Sequence, residues 1–252
     1  MNEIIPVVSI VTPTYNSAKY IIASIESVKA QTFKDWELII VDDCSSDKTV
    51  SLIETEMNND NRIILMKNQT NLGAAKSRNL AIEKARGQYI AFLDSDDLWV
   101  SSKLVKQLEF MEKNNAAFSF TSYEFINEKG ESMNRNVNVP QKMNYNDLLK
   151  NTIIGCLTVM IDVTKVGKIK MPDIRTRQDT AMWLKILKTG TIAYGLNEPL
   201  AKYRKVNDSL SSNKFKMIYK TWRMYRDVEK LTLFKTTYVF IYYIINALKK
   251  HK

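Results

Sequence analysis

The stretch AFLDSDDLW, Ala91 to Trp99, sets the carboxylates of Asp94, Asp96 and Asp97 against an apolar run. Like charges gathered in a partly dry place raise at least one pKa unless a cation sits among their oxygens, so a divalent metal is the simplest account. Asp and Ser also serve as turn and N-cap residues, and a loop before a helix beginning near Ser101 would use them without a metal. Both readings stand on this stretch alone. A second acidic group, Asp42-Asp43, closes the apolar run WELIIVDD, and a polar run from Thr12 to Asn16 follows a third. No GxGxxG follows the first apolar run and no GxxxxGK[ST] occurs, so any phosphate must be held by other means. A metal on Asp96 that bridges two phosphate oxygens would serve. His251 is the single histidine, and Cys44 and Cys156 are the two cysteines. That inventory supports neither a zinc cage nor a disulfide framework, and it excludes Ser-His-Asp or Cys-His catalysis unless the tail histidine is recruited.

These groups need a scaffold that brings them to one edge. Val7 to Val11 reads as a buried strand ending in a Thr12-Pro13-Thr14 loop, and Trp36–Asp43, Arg62–Asn68 and Tyr89–Asp94 read as three more. Residues 20–30 carry Ile21, Ile25 and Val28 at helical spacing, and Ala74 to Ala85 is helical up to Gly87. Strands apolar nearly throughout, separated by helix-length segments, predict a largely parallel sheet covered on both faces, whose ligands bind beyond the strands' carboxyl ends. After Asp97 the rhythm changes. Lys103–Glu112 reads as an amphipathic helix, AFSFTSYEFI as a half-exposed strand, Glu128–Gln141 as a loop, LTVMID as a strand, DTAMWLKIL as a helix, and TIAYG as a following apolar run. The expected division is a nucleotide-sugar-binding half, 1–100, an acceptor-binding half of the same domain, 101–210, and a basic, aromatic C-terminal extension, 211–252.

At 252 residues, 45% hydrophobic and 25% charged, the chain is long and apolar enough for one full α/β core. The net charge of +10 attracts a polyanion. No zinc-finger spacing or RNA-binding motif points to nucleic acid. The opening MNEIIPVVSI has no basic segment ahead of an apolar core, so a cytoplasmic protein is expected.

Asp42-Asp43, the run NLGAAKSRNLAIEKARGQYIAFLDSDD and the later RQDTAMWLKI together resemble family-two glycosyltransferases of the GT-A fold, the bacterial kind that builds capsule, O-antigen or teichuronic-type polysaccharide. The likeness covers roughly residues 6 to 210. It implies a nucleotide-diphospho-sugar transferase with a Rossmann-like, mostly parallel central sheet, helices on both faces and a C-terminal helical extension. It further implies an inverting transfer of a hexose or N-acetylhexosamine from a UDP-sugar to a lipid-linked glycan, with Mn²⁺ or Mg²⁺ as cofactor. Residue by residue, Thr12, Pro13, Tyr15 and Asn16 match the first loop of the nucleotide pocket. Asp43, with Asp42 beside it, matches the carboxylate that hydrogen-bonds uracil or ribose, and Gly73 and Arg78 the run flanking base and phosphates. Asp94, Ser95 and Asp96 fall on the DxD motif, Asp96 being the expected direct ligand with Asp94 beside it, and Asp97 positions the loop or the donor sugar. Asp179 resembles the general base, and its position at a helix start would also suit any Asp through the dipole. Gln178 stands where many relatives carry Glu. Trp183, four residues beyond the base, either stacks on a sugar or fills core. Arg204, Lys205 and Lys214 fall in the segment that closes over the nucleotide. A metal-dependent nucleotidyltransferase and a non-catalytic glycan- or nucleotide-binding protein are the competing functions.

Leu231 to Leu248 is at the low edge of spanning length and is interrupted by Lys235. Its rings and the closing Lys249, Lys250 and Lys252 suit peripheral contact with an anionic bilayer, at the inner face of the cell membrane. A helix packed on the domain, or a homodimer contact, would use the same residues. If the segment only docks the protein, its removal should leave the core folded.

Overall fold

The structure is a computed structural model that describes residues 5–206 and 214–249. The Lys214 side chain and the tail beyond Lys249 lie outside the described residues, so the expectations for them are not addressed. The chain opens with β1 (Val8–Thr14), α1 (Ile21–Lys29), β2 (Trp36–Asp42), α2 (Thr49–Asn59), β3 (Ile63–Lys67), α3 (Ala74–Lys84) and β4 (Tyr89–Phe92). β3, β2, β1 and β4 lie side by side, all parallel. β1 and β2, the inner pair, are buried along their whole length, as strands with helices on both faces must be. α1 turns Ile21, Ser24, Ile25 and Val28 inward, the one-face spacing of an amphipathic helix.

At the opposite end from the site, the buried Glu37 ties three elements together. It accepts from the Ser9 hydroxyl at 2.6 Å and the Arg86 amide at 2.8 Å, and Arg86 Nε closes the fork at 3.0 Å.

The second half is β5 (Leu98–Trp99), α4 (Lys103–Lys113), β6 (Phe118–Ile126), β7 (Ser132–Val137), β8 (Lys142–Met143), α5 (Tyr145–Lys150), β9 (Met160–Asp162), α6 (Val163–Val166), α7 (Gln178–Leu187) and β10 (Ala193–Arg204). β9 joins antiparallel to β4, β6 antiparallel to β9, and β10 parallel to β6, which extends the parallel half into one mixed sheet. α5 starts on a capping box between Asn144 and Asp147. After β10 come α8 (Lys214–Arg223), a π-helical turn over Met224–Val228, and α9 (Leu233–Lys249).

Four expectations need correction. β1 continues through Thr14, so Thr12 and Pro13 belong to the strand. β6 is buried on both sides apart from Glu124, because it lies inside the sheet between β9 and β10. The stretch from Glu128 to Gln141 contains β7, an exposed strand on β6 whose polar sequence SMNRNV carries no apolar alternation to betray it. LTVMID splits into a 3₁₀ turn, Cys156–Thr158, and the short β9. Among the described residues no helix is long and apolar enough to cross a membrane.

Candidate active site

Because β1, β2 and β4 are parallel, the loops after Thr14, Asp42 and Phe92 leave the same edge of the sheet. The first two are stitched to each other. The Asn16 amide donates to Ser45 Oγ at 2.8 Å, and Asn16 Oδ1 accepts from the Ser46 amide at 2.8 Å. Asn16 does this at φ 47°, a left-handed conformation that asparagine tolerates. Asp42 closes its own turn by accepting from the Ser45 amide at 2.9 Å and from the Ser45 hydroxyl. Asp43 spans to the next loop, accepting from the amides of Leu72 at 2.8 Å and Gly73 at 2.7 Å and from Asn68 Nδ2 at 2.8 Å. Gly73 takes φ 87° there, with no atom within reach of an added Cβ, so its backbone conformation rather than crowding is what calls for glycine. Above this framework Tyr15 is 51% exposed, while the hydroxyls of Thr12 and Thr14 are buried without a partner among the described residues. Unpartnered buried hydroxyls at the mouth of a sheet are groups that a ligand can satisfy.

The carboxylate loop after β4 is held from two sides. Ser24 Oγ on α1 lies 2.9 Å from the Ser95 carbonyl oxygen and 2.7 Å from that of Asp97, and Ser17 and Ser95 share a hydroxyl contact of 2.8 Å. From β10, the Arg204 amide donates to Asp97 Oδ1 at 2.8 Å, and Arg204 Nε to the Asp96 carbonyl at 2.7 Å. Arg204 Nη1 reaches the carbonyls of Glu128 at 3.0 Å and Asn127 at 3.2 Å. Arg204, expected at the diphosphate, is buried under the loop, and its Nε rivets that loop to β10 while Nη1 holds the carbonyls of Asn127 and Glu128. Asp97 is also buried, and burial, then Asp96 and Asp94, push its carboxyl well above the usual range, while its bond from the Arg204 amide holds the loop.

Asp94 is ion-paired with Arg78. Burial opposes the charge of Arg78, but Asp94, the Cys156 thiol and Asp179 around it raise its pKa above the ordinary value. Its Nε is buried with no partner. Asp96 is pushed up to about 6 by burial and then by Asp94. Its carboxylate has no donor among the described residues beyond its own amide, and Arg204 and Arg78 only partly offset that rise. Among the described residues no group of three or more His, Cys, Asp or Glu could cage a metal. One or two carboxylates are nevertheless what a hard divalent cation needs when phosphate oxygens and water supply the rest, so Asp96 with Asp94 fits such an ion.

Asp179 lies in the first turn of α7, half-buried, with Oδ1 accepting from the Thr180 amide at 2.7 Å. It acts on Arg78 and on Cys156, and so does Asp94, so the helix of the second half and the carboxylate loop of the first converge on one buried pair. Cys156 itself is buried, its thiol held well above the ordinary range by that burial and the acids around it, partly offset by Arg78. Sequence reasoning missed its place because a lone Cys in an apolar run carries no signal. It also missed Arg177, which precedes α7 at φ 65° and donates from Nη2 to Tyr243 Oη of α9 at 2.9 Å. Gln178 Oε1, beside Asp179, is buried without a partner among the described residues. Trp183 is 0% exposed, edge-on to Phe92 and Phe118 at 5.3 Å each, so it fills core and offers no face to a sugar. A separate cavity of about 700 Å³ opens between α3 and α7 beside Leu80, Met171 and Lys185, and none of these carboxylates lines it.

Residues 9–168 match the family described as Glycosyl transferase family 2. The chain is 51% identical over 245 residues, 97% of its own length and of the relative's, to TuaG of Bacillus subtilis (strain 168), named as a teichuronic acid biosynthesis glycosyltransferase. It is 42% identical over 246 residues, 97% of this chain and 94% of the relative, to the UDP-Glc:alpha-D-GlcNAc-diphosphoundecaprenol beta-1,3-glucosyltransferase WfgD of Escherichia coli. In fold it is similar to S. aureus TarS 1-349 in complex with UDP-GlcNAc, with a TM-score of 0.72 at 19% identity over 96% of this chain and 72% of that one. The mannosyltransferase PcManGT from Pyrobaculum calidifontis, in complex with GDP-Man and Mn²⁺, gives a TM-score of 0.67 at 15% identity over 94% of this chain and 68% of that one. These two likenesses concern the fold.

Proposed function

The chain belongs to glycosyl transferase family 2, and on that premise we propose that it transfers a hexose or N-acetylhexosamine from a UDP-sugar to a hydroxyl of a lipid-linked glycan. The step belongs to surface-polysaccharide synthesis at the inner face of the cell membrane, and it inverts the anomeric centre. The observation that supports this reading is the Asp94–Arg78 ion pair at the carboxyl ends of the parallel strands, with Asp179, from the other half of the chain, raising the pKa of the same buried Arg78.

In the transfer, the acceptor oxygen forms a bond to the anomeric carbon while the bond from that carbon to the UDP oxygen breaks, and the hydroxyl proton passes to the Asp179 carboxylate. One Asp179 oxygen is already oriented by the Thr180 amide, which fixes the direction of the other. Mn²⁺ or Mg²⁺, held by Asp96 with Asp94, would supply positive charge to the departing diphosphate. Arg78 is fixed by Asp94, and its Nε, without a partner among the described residues, leaves a donor for a ligand. Thr12, Tyr15 and the loop held by Asp43 frame the nucleoside. Asn16, Asp42 and Asp43 act on it through the loops they tie, and Gln178 faces the acceptor.

The test is UDP release from a panel of UDP-sugars, with and without an N-acetylhexosamine-diphospholipid acceptor, for the wild type and Asp179→Asn. The substitution keeps size but cannot take the proton, so kcat should fall on the order of 10²-fold or more with UDP-sugar affinity little changed. Near-normal turnover in the variant would reject Asp179 as base, and retained configuration in the product, read by proton NMR, would reject the single displacement.

A further inference from the structure

The C-terminal helix has two unlike faces. Thr236, Val239 and Tyr243 are buried against the domain. Phe234, Tyr238, Ile241, Tyr242 and Ile245, which repeat at the three- and four-residue spacing of a single helix face, are exposed, Phe234 to 92%. An apolar stripe left in the open on an otherwise well-packed molecule marks a docking surface. Its borders are cationic. Lys150 Nζ lies 5.3 Å from the ring centres of both Tyr238 and Tyr242, Lys235 is exposed on α9 itself, and from Leu231 to Lys252 the sequence contains no Asp or Glu.

We infer that the outer face of α9 lies in the headgroup region of an anionic bilayer, with Phe234, Tyr238, Ile241 and Ile245 reaching the acyl boundary. Charge complementarity favours this occupant, since rings and branched aliphatics flanked by lysines, with no acid among them, suit anionic lipid. A second copy of the chain fits poorly. A helix of 17 residues presents a strip about 25 Å long and about 10 Å wide, well short of the roughly 800 Å² per partner of a stable interface. Paired stripes would also set lysine against lysine. The inference rests on the proposed lipid-linked acceptor for its purpose: Tyr243, on the inner face of the same helix, touches Arg177, two residues before Asp179. A bilayer under α9 therefore lies beside the acceptor end of the site.

The experiment pellets the full chain with vesicles of phosphatidylcholine containing phosphatidylglycerol, and with phosphatidylcholine alone. The wild type should pellet with the anionic vesicles, and Phe234→Gln combined with Ile241→Gln should weaken pelleting about tenfold or more. Both positions are exposed, so the variant should keep the wild-type thermal transition and release UDP at the wild-type rate on a short-chain, water-soluble diphosphate acceptor. Equal pelleting by the two proteins, or a wild type that stays in the supernatant, would overturn the inference. So would light scattering that finds a wild-type dimer and a monomeric variant. A wild type that pellets but releases no UDP from any donor would instead reject the proposed reaction and leave the surface standing.

Discussion

Lys103 shows what a single buried charge does to this protein. It has no exposed surface, its Nζ donates to Gln107 Oε1 at 2.6 Å, and it lies 4.3 Å from the centre of the Trp99 ring. Burial pushes its pKa down to about 7. An unfolded chain keeps that proton to about pH 10.4, so between these values the unfolded state binds more protons and stability rises with pH. Denaturant midpoints at pH 7 and pH 9 should give the wild type a gain of about 1 kcal/mol per pH unit that Lys103→Met lacks. Parallel slopes would place the proton elsewhere. Nothing in the sequence separates Lys103 from the solvated lysines of its helix, because burial of one position on a helix face depends on what packs there. The carboxylates were easier. Asp94, Asp96 and Asp97 stood out as a cluster, but which one meets Arg78 of α3, 16 residues away, and which one meets the Arg204 amide of β10, 107 residues away, depends on the tertiary packing.

At the scale of elements, α7 has no side-chain cap, and Arg177 enters it in a left-handed conformation. That conformation costs a non-glycine residue about 1 kcal/mol or more. The bond from Arg177 to Tyr243, with the ring 5.8 Å from the guanidinium carbon, helps to hold it. Tyr243→Phe keeps the ring and removes the acceptor. Under the proposed mechanism a small shift of Asp179 is expensive, so kcat should fall on the order of tenfold while UDP binding, read by calorimetry, stays unchanged. An unchanged kcat would leave the contact without a role in positioning. The parallel first half was legible because its strands are buried on both faces and therefore continuously apolar. β10 was read only at its start because Glu198 and Pro199 interrupt it, and the register slips on either side of Pro199.

For the molecule as a whole, the C-terminal extension is not an appendage. Met224, Tyr225, Leu231 and Val239 share one buried cluster with Phe92, Phe118 and Trp183. The sequence left open whether residues 211–252 pack on the domain, since aromatic residues on both sides of a helix blur the periodicity that would separate an inner face from an outer one. A chain ending before Leu231 loses the burial of Leu231, Val239 and Tyr243, together about 5 kcal/mol. Its thermal midpoint should fall by roughly 10 °C or more by calorimetry. A truncated chain that melts like the full one would show the extension to be separable after all.

The rivet at Arg204 also has a consequence in time. Asp96 leaves the ribosome 108 residues ahead of the arginine that fixes its loop. The amino-terminal strands can pair as soon as they emerge, but the loop that presents Asp96 and Asp97 acquires its final shape only when β10 slots in beside β6. The growing chain thus carries an unset acidic loop until β10 has been made, and the capacity to engage a nucleotide sugar arrives late, when about four-fifths of the protein has already been synthesised.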